Sequence, residues 1–219
     1  MEGTIWDEFS LNRHVVFPFE IPSSWTKGFS VDHGFRNPTA VNWYAIDFDG
    51  NIYLYDEHYQ VEKPVSYHAE IIKLKGLTLG ICDPSMHNKT QSREGRIYSI
   101  ADEYQDYGVT LIPASHSDEL AQLNRVNEWF KQDRIKIFKS CPNTIREVSS
   151  WKWKPVRGND KNDPETPIDK DNHTCDNLKQ IVASRLSGPY KAVVPSYTEH
   201  SLTRYINETK KERVFAAVS

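Results

Sequence analysis

Apolar residues recur along this chain in two rhythms. Residues 28–32, 40–48 and 52–57 are rich in aromatic and β-branched side chains, which predicts strands. Asp49-Gly50 between the second and third is a short-range hairpin signal, so the three runs predict a β-meander. Then the rhythm changes. Pro64 suits a first helical position, and Val65, Ala69 and Ile72 recur at helical spacing, predicting a helix that ends near Leu74. Residues 77–82 read as a short apolar strand ending at Asp83-Pro84. Ile97, Ile100, Ala101 and Tyr104 predict an amphipathic helix that Gly108 terminates from a left-handed conformation.

Residues 109–112 form the next predicted strand. Ser115 or Ser117 is the expected cap of a helix whose Leu120, Leu123, Val126 and Phe130 make one stripe, and 135–138 returns to β character. A short helix follows Cys141-Pro142. Trp151-Lys152-Trp153-Lys154 has period two, which in an extended chain separates tryptophans from lysines and could open a hairpin. From 155 to 170 Gly, Pro, Asn, Asp and Lys dominate, predicting a long exposed loop or hairpin arm. Asp171 is the expected cap of a last helix in which Cys175, Leu178, Val182 and Leu186 share a face, with Gly188-Pro189 as its stop. Residues 1–27 read as a lead-in around Val15-Val16-Phe17, and 189–219 as a polar tail. A meander followed by alternating helices and strands predicts an α/β fold, a mixed central sheet flanked by helices.

Composition narrows the classes. At 219 residues one main domain is expected, over 28–188, and 38% hydrophobic with 12% aromatic residues excludes wholesale disorder. A formal net charge of -3 gives no general attraction for nucleic acid, so any DNA affinity must be local. Cys82, Cys141 and Cys175 are widely spaced with no CxxC pair, which argues against a disulfide framework or a structural zinc site and fits a reducing cytoplasm. No apolar run approaches the ~20 residues of a membrane span, and the start lacks a signal-peptide pattern, so no membrane partner is expected. No GxxxxGK[ST] phosphate loop occurs.

The candidate chemistry is acidic. Phe29-Ser30-Val31-Asp32-His33-Gly34 sets a carboxylate at a strand exit, and Gly34, without Cβ, could let a ligand or another backbone come close. Asp83 ends the strand after the first helix, and Asp176 lies on the last helix with His173 one turn before it. Carboxylates from two strands and a helix suit a pair of Mg²⁺ or Mn²⁺ ions. The same residues also read as ordinary turns at Asp32 and Asp83, a solvated helix face at Asp176 and a partly exposed histidine at His173; spacing alone does not choose. Lys152, Lys154, Arg157 and Lys161 surround Trp151 and Trp153 and could hold a DNA backbone through its phosphates, or form a solvated arm diluted by Asp160, Asp163 and Glu165. Glu57 lies near the acids or in solvent, and His33 and Cys82 alternate away from Asp32 and Asp83.

Four blocks carry a resemblance. VDHGFRNPTAVNWYAIDFDGNIYLYDEHY resembles the opening of the nuclease domain of the large terminase subunit of tailed bacteriophages. ICDPS is similar to that family's second aspartate at a strand end, and RVNEWFKQDRIKIFKSCPNTIREVSSWKW to its helix, strand, cysteine, helix and "Glu, aromatic, Trp" run. KDNHTCDNLKQ resembles the signature "Lys, Asp, His, two residues, Asp, Ala, Leu, Arg". Together the blocks span residues 3–186. The resemblance implies a ribonuclease-H-like fold with an auxiliary hairpin or long loop, catalytic and metal-binding roles for Asp32, Asp83 and Asp176 with His173 beside them, and two divalent metal ions. It further implies an endonuclease that cuts concatemeric double-stranded DNA with little sequence preference during viral packaging. The implied partners are double-stranded DNA, the portal protein, the small terminase subunit and the ATPase domain of the same large subunit. In the family that domain precedes the nuclease, so 1–27, beginning GTIWDEF after two residues, then reads as the remnant of a linker. The implied location is the cytoplasm of the infected host, with transient docking on the procapsid. Departures at Asn172, Asn177 and Lys179 leave open whether Asp171 helps hold the second metal. Two alternatives remain at this point: a junction resolvase or transposase of the same fold, and a non-catalytic portal or DNA docking module.

Overall fold

The meander forms where its pattern places it and becomes the middle of a larger sheet. The computed structural model describes residues 3–93, 96–114, 118–155 and 166–184, all within one compact unit, 1–188. Strand β2 (Thr26–Asp32) pairs antiparallel with β3 (Thr39–Ile46), and β3 with β4 (Ile52–Gln60). The connection between β3 and β4 turns at Asp49-Gly50. Asp47 Oδ1 accepts from the Asp49 and Asn51 amides at 3.0 and 2.8 Å, and Gly50 takes φ +83°. Strand β4 runs past the expected end at Glu57, because Glu57, His58 and Tyr59 each find a hydrogen-bond partner on a neighbouring helix.

Parallel strands extend the sheet on both sides. Strand β5 (Leu79–Cys82) pairs with β2 and β8 (Thr110–Pro113) with β5, while β9 (Ile135–Phe138) pairs with β4 and β1 (Val15–Val16) with β9. Among the described residues the order is β1-β9-β4-β3-β2-β5-β8. The pleat separates two cores. On one face Phe29, Val31, Trp43 and Cys82 pack with α2 (Val65–Leu74) and α3 (Ile100–Asp106). On the other, Leu54, Ile135 and Ile137 pack with α4 (Glu119–Lys131), α5 (Pro142–Ser150) and α6 (His173–Ala183). Helix α6 is buried from Thr174 to Ala183 except at Asp176, because it lies between the sheet and two other helices.

The N-terminal segment does more than lead in. After α1 (Leu11–His14), β1 joins the sheet. Ile5, Trp6 and Phe9 enter the α4-side core, and the Trp6 indole donates to the Leu123 carbonyl at 3.1 Å. Their core partners Leu123, Phe130 and Trp151 lie more than a hundred residues away, so no local periodicity marks them.

Two expected boundaries change. Ile97 is not helical: it is 65% exposed on β7 (Arg96–Tyr98), which pairs with β6 (Gln91–Arg93) in a separate hairpin. A capping box at Ser99 starts α3 two residues later, with Ser99 Oγ accepting from the Asp102 amide and Asp102 from the Ser99 amide. The cap of α4 is Asp118, accepting from the Ala121 amide at 3.0 Å. The expected caps Ser115 and Ser117 lie outside the described residues, as do Leu186, Gly188-Pro189 and the tail 189–219. Gly108 does follow α3 with φ +81°. Around the expected arm, the Lys154 amide donates to Thr166 and the Ile168 amide to Lys152, so its two ends pair antiparallel; residues 156–165 lie outside the described residues. Among the described residues no helix is long and apolar enough to cross a membrane.

Candidate metal centre

Parallel pairing aligns Ser30 with Ile81 and Val31 with Cys82, so Asp32 and Asp83 leave adjacent strand ends side by side. Neighbouring strands lie about 4.8 Å apart, and the crevice beyond the carboxyl ends of parallel strands is where α/β sheets accept ligands. The pleat sets the side. Ser30 Oγ donates to Gln180 Oε1 on α6 at 2.7 Å, so Asp32, two residues on, also faces α6.

From α6, His173 donates through Nδ1 to Asp32 Oδ2 at 2.7 Å. One turn along, Asp176 Oδ1 pairs with the Lys179 ammonium at 2.7 Å, and its Oδ2 accepts from the Asn172 side-chain amide at 2.9 Å. Lys179 also donates to Glu119 at the start of α4, at 2.9 Å. Although about a quarter of its side chain reaches the surface (26%), the protein around Asp176 strips water from the carboxyl and pushes it up to about 6, opposed by Lys179 and reinforced by the negative charge of Asp32. The hydrogen bond to Asp32 raises His173, against the effect of burial. For Lys179 burial acts downward and is outweighed by the carboxylates of Asp176 and Glu119, which hold the ammonium charged.

The structure thus brings Asp32, His173 and Asp176 together. Asp83 stands one strand away, with Oδ1 accepting from the Ser85 amide at 2.8 Å to cap the 3-10 turn Pro84–His87. Among the described residues no group of three or more His, Cys, Asp or Glu side chains is gathered in metal-holding geometry. The chain's own donors offset the carboxylates instead, His173 on Asp32 and Lys179 with Asn172 on Asp176. The chemistry nevertheless fits a hard cation. The donors are carboxylate oxygens, and among the described residues Asp32 Oδ1 and Asp83 Oδ2 have no hydrogen-bond partner.

Several expected neighbours do other work. Asp171 does not cap α6: it sits at φ +52°, one residue before the N-cap Asn172, whose side chain makes no capping bond. Gly34 admits backbone, not ligand, since a Cβ there would meet the Asn37 carbonyl oxygen at 2.6 Å. His33 turns to the opposite face, its Nδ1 within 3.3 Å of the Tyr104 hydroxyl. Glu57 caps α5, accepting from the Asn143 and Thr144 amides at 2.8 Å each. Lys152 and Lys154 are exposed beside the paired base of the arm, while Arg157 and Lys161 lie outside the described residues.

Sequence reasoning missed Glu147. Fully buried on α5, its Oε2 accepts from the Thr174 amide and hydroxyl of α6 at 2.7 and 2.6 Å, and its Oε1 from the Tyr59 hydroxyl at 2.5 Å. A signal was available: Glu147 occupies the same helical stripe as Thr144, Val148 and Trp151, where a carboxylate must be buried and partnered. Beside it the half-exposed Arg146 guanidinium lies 5.4 Å from the Tyr59 ring centroid, and that ring stands 6.2 Å from His173.

The chain is 27% identical over 200 residues to the terminase large subunit of Escherichia phage T5, covering 84% of this chain and 42% of that protein. It therefore spans about two fifths of that relative's length. Its fold superposes on the nuclease domain of the P22 large terminase with a TM-score of 0.69 at 16% identity, covering 84% of this chain and 93% of that one. The large terminase nuclease of thermophilic phage G20c with bound magnesium superposes with a TM-score of 0.55 at 11% identity, covering 84% and 97%. Residues 32–184, which run from the first of the three aspartates to the end of α6, match the family described as the terminase RNAseH like domain, and the chain belongs to that family.

Proposed function

We propose that this chain is a divalent-cation-dependent endonuclease that cuts double-stranded DNA in a viral packaging motor. The observation that carries the reading is the placement of Asp32 and Asp83 at adjacent parallel strand ends with His173 and Asp176 of α6 over Asp32. Asp32, Asp83 and Asp176 would hold two Mg²⁺ or Mn²⁺ ions, as the bound magnesium of the phage G20c nuclease suggests for the first of these metals. When bound, such ions supply an activated water and a counter-charge for the departing 3′ oxygen. His173 fixes the Asp32 carboxylate through Oδ2, and Oδ1, without a hydrogen-bond partner among the described residues, would face the cation. Lys179 anchors Asp176 and ties it to α4 through Glu119. Arg146, exposed beside the Tyr59 ring with its guanidinium 3.5 Å from Glu147, would take a backbone phosphate together with Lys152 and Lys154; such contacts hold DNA without reading its sequence.

The relationship to a terminase large subunit supports the partners of this reading: concatemeric DNA, an ATPase domain in the same subunit, the portal and the small subunit, in the cytoplasm of an infected host. Incubation with supercoiled plasmid tests the central activity. Cutting should require Mn²⁺ or Mg²⁺, stop with chelator, and be lost in a folded Asp83→Asn variant. Cleavage that survives chelation, or an Asp83→Asn variant as active as wild type, would sink the reading.

A further inference from the structure

We propose that Glu147 is the positioning residue of this centre: supplied from α5, its carboxylate caps α6 and sets where His173 and Asp176 meet Asp32. The first-turn amides of a helix have no intrahelical acceptor and need one from outside. At α6 the N-cap residue does not provide it, because the Asn172 side chain is turned to Asp176. Glu147 takes its place, accepting from the Thr174 amide at 2.7 Å and from the Thr174 hydroxyl at 2.6 Å. A carboxylate at the positive end of a helix is favoured electrostatically, and a fully buried one persists only with such partners.

Two contacts carry this cap to the site. Thr174 is the residue after His173, so fixing its amide fixes the turn from which the imidazole reaches Asp32 Oδ2. Glu147 also accepts from Tyr59, whose ring stands edge-on to His173 at 6.2 Å. Helix α5 is itself held by a carboxylate from another element, since Glu57 of β4 accepts from the Asn143 and Thr144 amides. Asn42 of β3 adds a bond to the Thr144 hydroxyl at 2.8 Å and Asn177 of α6 a bond to Asn42 at 3.0 Å. A chain of polar contacts, partly buried at Glu57 and fully buried beyond it, therefore runs from β4 through α5 to the first turn of α6. A hydrogen bond of 2.7 Å tolerates only a few tenths of an ångström of displacement, so α6 must be held at its start and not only along its apolar face.

The inference rests on the nuclease reading for its kinetic consequence but not for its cation-binding one. The full chain, with variants Glu147→Ala, Glu147→Gln and Glu147→Asp, is measured for Mn²⁺ affinity by calorimetry, amide exchange in α6, urea stability, and kcat and KM on plasmid. Ile72→Ala, in the core across the sheet, supplies a control of comparable stability loss. Glu147→Ala should lower Mn²⁺ affinity about tenfold or more, as loss of a partner that orients a ligand does. It should also raise exchange at Thr174 and lower kcat with KM for DNA little changed. Glu147→Gln, whose amide can accept from Thr174 and donate to Tyr59, should retain most of each property. Glu147→Asp keeps the charge but withdraws it by one methylene, and should weaken Mn²⁺ binding even if the alanine variant does not fold. Wild-type Mn²⁺ affinity in Glu147→Asp, or an equal loss in Ile72→Ala, overturns the proposal. If wild type binds Mn²⁺ without cutting DNA, the nuclease reading falls and the affinity and exchange results decide the role of Glu147. Wild type that binds no Mn²⁺ overturns both.

Discussion

Lowering the pH should destabilise this protein through His68, on the face of the sheet away from the acids. His68 is fully buried on α2, with Nε2 3.2 Å from the Lys63 carbonyl and Nδ1 2.9 Å from His58 Nε2. A carbonyl only accepts, so Nε2 carries the hydrogen and Nδ1 accepts from His58. A second proton on His68 would set donor against donor. Burial, with the neighbouring His58 and His33 rings adding, lowers its pKa from 6.5 to about 4. The sign follows from linkage. Above pH 6.5 the ring is neutral in both states; between there and about 4 the unfolded chain binds a proton that the native state refuses, so stability is lost as pH falls. At ~1.4 kcal/mol per unit, the full window is worth about 3 kcal/mol. Urea unfolding at half-unit steps from pH 7 to 4.5 should show the wild type losing stability more steeply than His68→Gln, by up to about 1.4 kcal/mol per unit. His14 is also lowered by burial, and Asp176 is raised and acts in the opposite sense, but these lie apart from His68 and are common to both proteins; His58 and His33, which neighbour His68, are replaced by Gln in both backgrounds so that the difference between them belongs to His68. Parallel stability curves for the two proteins would refute the reasoning.

Three further outcomes follow from the geometry. Glu57→Ala removes the acceptor for the Asn143 and Thr144 amides at the start of α5 and should cost about 2–3 kcal/mol in urea unfolding. Gly80→Ala should cost about 1–3 kcal/mol in thermal or urea unfolding, because a Cβ on β5 would lie 2.2 Å from the buried Phe29 ring, which must move. Arg146→Ala should weaken DNA binding by fluorescence anisotropy on sequences of any composition and make its salt dependence shallower by about one phosphate contact; an unchanged slope would remove Arg146 from the DNA surface.

Much of the sheet was legible because its information is local. Asp49-Gly50 announces a turn, and the stripe of Leu123, Val126 and Phe130 announces a buried helix face, whatever lies elsewhere in the chain. The resemblance at VDHG, ICDPS and NHTCD pointed to the acids that the parallel pairing of β2 with β5 and the packing of α6 then placed. What stayed hidden depends on distant partners. Trp6 is buried through Leu123, and β1 enters the sheet only because β9 is there. The cap of α6 is the clearest instance. A search confined to residues next to the helix finds Asp171, whereas the acceptor is Glu147, twenty-seven positions before Thr174. Gly34 leaves room for a ligand or for backbone, and a missing Cβ does not say which; the atoms that approach are the carbonyls of Asn37 and Pro38.

On the proposed reading, Asp32, Asp83 and Asp176 form one cation-binding centre for DNA cleavage. Anomalous diffraction from crystals soaked in Mn²⁺ tests it most directly. Mn²⁺ peaks should be ligated by Asp32 together with Asp83 or Asp176, with Asp83 Oδ2 turned into the crevice. Crystals that take up Mn²⁺ elsewhere, with Asp32 still bound only by His173 and Asp176 only by Lys179 and Asn172, would contradict it.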